Sequence, residues 1–142
     1  MTTTLRALPL ALLLLSAPAS GAWEELRRND QVRLAIDPQT IKKRGDTVTF
    51  RYLVDFRATQ GDVKTAQYRS LATRSAIRCK ARTISTLGSE GYAGNEAKGP
   101  EVGILKPTRA ERSFRKLEEG SSDEDLWQRV CAPAPAAAKA PK

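Results

Sequence analysis

Apolar and polar residues alternate along the first half of the chain, which is the pattern of half-buried β-strands. In residues 47–56 every even position is apolar, and every odd position except Leu53 is polar or charged. A shorter alternating run covers residues 32–36 and is followed by Asp37-Pro38. We therefore predict a first strand that closes at Asp37-Pro38, and a second that packs its even positions on the core and turns its odd positions outward.

The segments around these two runs contain turn residues or weaker patterns. Residues 23–30 read as a lead-in segment, and residues 39–46, with a lone apolar Ile41 and Gly45, as a turn. Residues 60–62 are predicted to turn the chain into an antiparallel strand that begins at Val63. Residues 64–82 are predicted to hold two strands, and Ile84 and Leu87 extend the second or start a third.

The second half of the chain is predicted to contain a loop, a short strand and a helix. Glycines at four positions make residues 89–100 a loop; a phosphate-binding loop is the alternative, but no GK[ST] motif follows. Residues 102–105 form a short strand. The helix starts after Ser121, which can cap it together with Glu124, and Leu126 and Val130 lie four residues apart on one face.

The two ends of the chain do not have the composition of a folded domain. Arg6, the apolar residues 7–15 and the small residues 16–22 have the layout of an export signal, too short for a membrane span. We predict a signal peptide in 1–22, cleaved after Ala22 or Ala19, one domain in 23–131, and a disordered tail rich in Ala, Pro and Lys in 132–142. No cysteine adjoins either cut to take a lipid. The periplasm is therefore the favoured location, and the cell surface or secretion are the alternatives.

The chain has two cysteines, Cys79 and Cys131. Outside the cytoplasm such a pair is expected to form a disulfide. A metal site or a reactive thiol is the alternative, and neither has a CxxC motif or a histidine in its support.

Histidine is absent from the whole sequence. Its absence removes Ser-His and Cys-His mechanisms as well as the commonest metal ligand. A carboxylate mechanism would need two acids to meet, and the candidates Asp37, Asp55 and Asp62 fall in turns or on an outward strand face. We predict that the protein is not an enzyme and needs no cofactor or metal.

The chain carries a net charge of +8 with a pI near 9.9, and loss of Arg6 with the signal leaves +7. The candidate binding residues form two basic groups: Lys42, Lys43 and Arg44, and Arg109, Arg112, Arg115 and Lys116. Spacing by three lets a helix or extended segment point three guanidinium groups one way. Such groups suit an acidic protein, a matrix protein or an anionic polysaccharide, whereas nucleic acid is not expected outside the cytoplasm. The alternative is a solvated charged face.

Aromatic residues give a further set of candidates. Trp23, Trp127 and Tyr92 are predicted to be either ligand platforms or core residues, and the position of Trp127 on a short helix favours the core.

Several short segments form a characteristic set in order and spacing: Trp23, Ile36-Asp37-Pro38 with Ile41 and Gly45, Val54-Asp55-Phe56, Tyr68-Arg69-Ser70, Arg74, Cys79 and Leu126-Trp127-x-x-Val130-Cys131. Together they make the chain resemble the surface-adhesin protein E family of exported bacterial proteins. Phe114 departs from the pattern, because a tryptophan is expected there. The resemblance implies an α+β fold: a mainly antiparallel β-sheet folded over itself, with one short C-terminal helix stapled to it by the Cys79–Cys131 disulfide.

The resemblance also implies an envelope protein of Gram-negative bacteria. We therefore predict a non-enzymatic exported protein that binds a macromolecule through its sheet face or its basic turns. The alternatives are a true host-matrix adhesin at the cell surface, and a purely structural or stress-related periplasmic protein.

Overall fold

The computed structural model describes residues 23–61 and 65–132. The predicted signal peptide, most of the predicted tail, and the turn residue Asp62 with the predicted strand start at Val63 lie outside these residues. The elements are β1 (Glu24–Arg28), β2 (Val32–Arg44), β3 (Thr47–Gln60), β4 (Tyr68–Arg78), β5 (Thr83–Tyr92), β6 (Glu101–Leu105), α1 (Arg109–Arg112), β7 (Arg115–Lys116) and α2 (Ser122–Cys131), with a 3₁₀ turn at Asn95–Ala97.

The described strands form one seven-stranded sheet in which every pairing is antiparallel. The strands lie in the order β1 to β6, each beside its neighbour in sequence, and β7 pairs with β5. Strands that are neighbours in sequence thus build the sheet from β1 to β6, whereas β7 returns to pair with β5. The helix α2 packs against this sheet. The predicted fold class, a mainly antiparallel sheet with a C-terminal helix and a disulfide, is confirmed.

One face of the sheet, called here the inner face, carries the main core. Val48 and Phe50 of β3 are buried there, as the alternation predicts, and Leu126 of α2 is fully buried against them. The buried cluster comprises Leu34, Ile36, Val48, Phe50, Ile77, Ile84 and Leu126. Since β2 and β3 contribute alternate residues to this cluster, the register fixes which side chains of the sheet face the opposite, outer side.

The outer face is covered at one end by a second, smaller cluster. Leu53, the exception in the alternation of β3, is buried there with Ala35 and Ala72, and Trp23 and Tyr92 pack against them. The predicted outward face of β3 is therefore only partly open to solvent. Residues at its covered end have the burial of core residues, which explains why an apolar side chain interrupts the polar positions.

The prediction that β2 closes at Asp37-Pro38 is wrong, because the strand runs on to Arg44. The ladder to β3 is interrupted between Asp37 and Lys42, where Pro38 has no N–H to donate. Thr40 bridges the interruption: its hydroxyl donates to the Asp37 carbonyl at 2.8 Å and accepts the N–H of Arg51 on β3 at 2.8 Å. The turn itself is at Gly45, whose φ is +60°.

Three further boundaries differ from the prediction. Residues 23–30 contain the strand β1, and residues 68–78 form one strand instead of two. Thr73 and Ser75 are buried inside this single strand. Residues 89–92, predicted to be in the loop, belong to β5, where Gly91 is buried opposite Leu71 of β4.

The helix α2 begins as predicted, with the Ser121 hydroxyl accepting the N–H of Glu124 at 3.3 Å. The Glu124 carboxylate accepts from the N–H of Gly120 and not from that of Ser121. The hydrogen bond from the Gly120 N–H, together with one from the Arg82 side chain, holds the pKa of Glu124 below its ordinary value.

The Cys79–Cys131 disulfide joins α2 to the turn that directly follows β4. A hydrogen bond from Trp127 Nε1 to the Cys79 carbonyl, at 3.1 Å, reinforces the same junction. The end of α2 is thus fixed to the sheet by one covalent bond and one polar contact.

Candidate functional site

The first basic group lies at the end of the β2–β3 hairpin. Lys42, Lys43 and Arg44 are exposed and belong to the last residues of β2, so they lie in a strand and not in the predicted turn. The register pairs Lys42 with Thr49 and Arg44 with Thr47. Since alternate residues of a strand point to opposite faces, Lys42 and Arg44 lie on the outer face and Lys43 on the other.

The second basic group is divided by the end of α1. Arg109 and Arg112 belong to α1, which ends at extended Ser113, and Arg115 and Lys116 form β7. The Arg115 guanidinium turns to α2 and binds Asp123 at 2.8 Å. The three arginines therefore do not share one direction.

The sheet register brings Lys116 of the second group into line with Arg44 of the first. Arg44 lies opposite Thr47, Thr47 opposite Arg78, Arg78 opposite Thr83, and Thr83 opposite Lys116. Paired residues on neighbouring strands point to the same face, so the three cations form one line across the outer face. With strands about 4.8 Å apart, successive cations are about 10 Å apart and the line is about 19 Å long. We call Arg44, Arg78 and Lys116 the basic row.

A groove lies beside the basic row on the outer face. Its volume is ≈ 470 Å³, and it is lined by Gln39, Thr40, Lys42, Thr49, Phe50, Arg51, Arg74 and Leu87. Lys42 and Arg74 are exposed, whereas Arg51 is paired with Glu90 at 2.9 Å. The groove thus adds two cations to the three of the row, and we call these five residues the basic face.

The basic face is not neutralised by neighbouring acids. Among residues 23–61 and 65–132, none of the five cations forms an ion pair with a carboxylate. The Arg78 guanidinium lies 3.8 Å from the centre of the Phe114 ring, and this contact holds the cation in place while leaving its N–H groups without a carboxylate partner. Asp46, in the hairpin, accepts the N–H of Lys80. The surface can therefore offer several cations to an anionic ligand.

At the opposite end of the outer face, charged side chains form ion pairs with one another. Arg33 binds Asp55 at 2.8 Å, Glu25 at 3.0 Å and Glu96 at 3.4 Å, beside a cleft of ≈ 530 Å³. Asp55 is 7% exposed and also accepts the N–H of Glu96 at 2.7 Å. Because each partner is engaged within the protein, this network holds strands and loop together and leaves little charge for a ligand.

The loop after β5 is held by this same network. Glu96 and Ala97 have φ of +60° and +55°, a conformation that side chains disfavour. Ser70 fixes the loop by donating to the Gly94 carbonyl at 2.6 Å and accepting the N–H of Ala97 at 3.0 Å. Trp23 Nε1 donates to the Glu96 carbonyl at 3.3 Å.

The aromatic candidates are largely engaged in structure. Trp127 packs against the main core cluster, and Trp23 and Tyr92 pack against the smaller one. Arg51 lies 5.6 Å from the Trp23 ring, and the Tyr92 hydroxyl donates to Glu90 at 3.3 Å. Their contacts favour the core interpretation over that of ligand platforms.

The candidate acids are not brought together. Asp37 lies opposite Arg51, and Asp55 is four residues further along β3, so the two are separated by about 13 Å of strand. Asp62 lies outside the described residues. Within the described part of the chain, no cluster of three or more His, Cys, Asp or Glu residues has the arrangement of a metal site.

Arg74 and Arg78 were not among the predicted site residues. A usable signal was present: they lie four apart, so a single strand would place both on one face. The prediction of two strands in residues 64–82 hid this relation.

No helix among the described residues is long and apolar enough to cross a membrane.

Comparisons with known proteins agree with the fold. Crystal form II of Haemophilus influenzae protein E matches with a TM-score of 0.62 at 17% identity, covering 80% of this chain and 88% of that one. Protein E from non-typeable Haemophilus influenzae matches with a TM-score of 0.59 at 17% identity, covering 82% and 79%. At this identity the likeness shows a shared fold. A search of curated proteins found no match.

A match to a family model shows family membership, whereas the structural likeness shows only a shared fold. The model of the surface-adhesin protein E family matches residues 23–132, which include every described element of the sheet and α2. The chain therefore belongs to the surface-adhesin protein E family, a family of adhesin-like surface proteins.

Proposed function

We propose that this protein is an exported envelope protein that binds a macromolecule through its basic face, without a cofactor and without catalysing a reaction. The observation that carries the proposal is the basic row, in which Arg44, Arg78 and Lys116 come from three separate strands and share one side of the sheet. An exposed cationic surface of this kind attracts an anionic partner over several ångströms and orients its approach.

The other predicted cations have a secondary place in this proposal. Three of them, Lys43, Arg109 and Arg112, are exposed but do not belong to the basic row. The fourth, Arg115, forms an ion pair with Asp123. We propose that the first three strengthen long-range attraction, whereas Arg115 stabilises the contact between β7 and α2.

The location we propose follows from the sequence signals and the disulfide. Residues 1–22 act as a signal peptide, the folded domain occupies 23–131, and residues 132–142 are a tail. A disulfide that joins α2 to the sheet requires an oxidising compartment to form and persist. The periplasm fits these features, and exposure at the cell surface is the second candidate because the family is one of surface adhesins.

Protease treatment of intact cells distinguishes the two locations. A tagged protein that is digested on whole cells is at the surface, and one that is protected but released by osmotic shock is periplasmic. Recovery in the cytoplasmic fraction after spheroplast lysis would contradict the proposed export.

Binding is tested with a matched pair of charge-reversal variants. Arg44→Glu with Lys116→Glu changes the basic row, and Arg57→Glu with Lys98→Glu makes the same change in charge away from the basic face. Arg57 is exposed and lies about 33 Å along β3 from Thr47. Lys98 is exposed and pairs with Glu96 of the Arg33 network, at the opposite end of the outer face. Immobilised matrix proteins, an acidic protein and a polyanion serve as ligands over a range of NaCl concentrations.

We expect binding to at least one of these ligands that weakens with salt and with the row variant but not with the control variant. Absence of binding to all of them at every salt concentration would contradict the proposal and favour a purely structural role. Equal losses in both variants would show that net charge, and not the basic face, is responsible.

A further inference from the structure

We infer that the macromolecule is an acidic polysaccharide, bound as an extended chain that lies across the strands along the basic row. This inference rests on the proposed function and adds to it the chemical class of the ligand and its direction on the sheet. It is argued from the geometry of the row, the side chains between its cations, and the neighbouring groove.

The geometry of the row suits a linear polyanion. Its three cations follow one line across the strands, because the register places a single threonine between each cation and the next. The steps of about 10 Å are set by the strand spacing and are therefore regular. A polysaccharide with a charged group in each repeat presents anions along a line, whereas the carboxylates of a folded protein lie on a curved surface without a fixed repeat.

The side chains between the cations are also those that a sugar chain can use. Thr47 and Thr83 separate the three cations and are half-buried on the same face. Protein partners are usually held by buried aromatic or aliphatic anchors at the centre of the interface. The row offers none, because the Phe114 ring is covered by the Arg78 guanidinium at 3.8 Å.

The groove provides room for groups that project from such a chain. Lys42 lies two residues before Arg44 on the same side of β2, and Arg74 lies four residues before Arg78 on β4, about 13 Å away. A guanidinium can bind a sulfate or carboxylate with two parallel hydrogen bonds. A charged substituent that leaves the main path of the chain can therefore still meet a cation in the groove.

Single-stranded nucleic acid is a poorer match to the same charges. Proteins that bind it combine cations with exposed aromatic rings on which the bases stack. The ring beside the row, that of Phe114, is occupied by Arg78, and Trp23 packs against the smaller cluster at the other end of the outer face.

The test uses heparin oligosaccharides of increasing length as the probe, with the processed protein and calorimetric titration at several NaCl concentrations. Affinity should rise with length until the oligosaccharide spans about 19 Å, and then level off for each bound protein. Arg44→Gln with Lys116→Gln should weaken binding about tenfold at low salt. Two fewer neutralised charges should also lower the slope of log K against log salt by about 1.5.

The controls separate this inference from the proposed function. Arg57→Gln with Lys98→Gln should bind heparin like the wild type, and circular dichroism should show that all variants are folded. The uncharged polysaccharide dextran, polyglutamate and single-stranded DNA are tested in parallel. If polyglutamate binds and heparin does not, the polysaccharide inference is overturned and the proposed function stands.

The remaining outcomes are also decisive. Equal binding of DNA and heparin, an equal loss of heparin binding in the control variant, or full binding to an uncharged polysaccharide overturns the inference. If no probe and no matrix protein binds at any salt concentration, both the inference and the proposed function fail.

Discussion

Removal of the Cys79–Cys131 disulfide should destabilise this protein by several kcal/mol. The bond closes a loop with a sequence separation of 52 residues. The chain-entropy model gives about 4 kcal/mol for a loop of that length, because the cross-link restricts the unfolded chain. A domain of this size has a total stability of about 5–15 kcal/mol, so the bond supplies a large share of it. The variant that tests this is Cys79→Ser with Cys131→Ser, which leaves no lone thiol.

The folded state of the variant should change little, since other contacts keep α2 on the sheet. Leu126 is fully buried, and Trp127 Nε1 donates to the carbonyl of residue 79, a backbone group that survives the substitution. Arg129 binds Glu24 of β1 at 2.6 Å, and Arg27 binds Asp125 at 2.6 Å. The loss of stability should therefore arise mainly in the unfolded chain, with the far-ultraviolet circular dichroism of the native protein preserved.

The assay is urea unfolding of the wild type, the double variant and the wild type reduced with dithiothreitol. At a slope of about 2 kcal/mol per molar urea, a loss of about 4 kcal/mol moves the midpoint down by about 2 M. The reduced wild type should behave like the variant. A variant within about 1 kcal/mol of the wild type would refute the loop-entropy reasoning. A stable reduced wild type beside an unstable variant would assign the loss to the serines in a half-buried site.

Three further predictions concern the fold. Asp55→Ala leaves the largely buried Arg33 without its closest partner, so it should lower the free energy of unfolding in urea by about 3–5 kcal/mol. Glu25 is an exposed partner of the same arginine, and Glu25→Ala should lower it by less than about 1 kcal/mol. Leu126→Ala should cost about 2–5 kcal/mol by the same measurement, because it opens a cavity beneath α2; a smaller loss would mean that α2 is not firmly docked. A hydrogen bond from Arg129 holds the pKa of Glu24 below its ordinary value of 4.5 in the folded protein. As the pH drops, Glu24 of the unfolded chain is therefore protonated before Glu24 of the folded protein, and the free energy of unfolding falls as the pH drops through and below 4.5. Thermal unfolding at pH 7 and pH 3 should show this fall, and Glu24→Gln should reduce it.

The elements that sequence predicts well are those determined by local pattern. The alternation in 47–56 and the cap at Ser121 each involve residues close in sequence, and both gave an element of the right kind in the right place. The break predicted at Pro38 failed because the hydroxyl of Thr40, two residues on, accepts the N–H of Arg51 on β3 and so bridges the interrupted ladder. That compensation depends on where the partner strand lies, and no local pattern reports it.

The strand β1 shows how distant partners conceal a pattern. Its residues Glu24 and Arg27 point to the inner face, where charged residues are not expected in an alternating strand. Each meets an opposite charge from α2, Arg129 and Asp125 respectively. Apart from Leu26, the sequence of β1 is therefore charged and indicates a lead-in segment, although one side of the strand packs against a helix about 100 residues away.

The candidate site could be predicted only in part for the same reason. Two of its members, Arg44 and Lys116, belong to basic groups that are visible in the sequence, but their alignment depends on four strand pairings. The third member, Arg78, lies at the end of β4, a single strand in a region that was predicted to hold two. Charge runs thus identify candidate residues, whereas the register decides which of them can act on one ligand.

The two ends of the outer face differ in a way that bears on function. At one end Arg33 is matched by Asp55 and other acids, so its charge is used to hold the fold together. At the other end, neighbouring cations of the basic row repel each other by only about 0.4 kcal/mol at 10 Å in water, and salt reduces this further. The fold therefore tolerates the row at little cost, and its charge alone would not indicate a binding site. What favours a site is that Arg44, Arg78 and Lys116 reach the same line from strands far apart in the chain, with only threonines between them, so that one extended anion can contact all three.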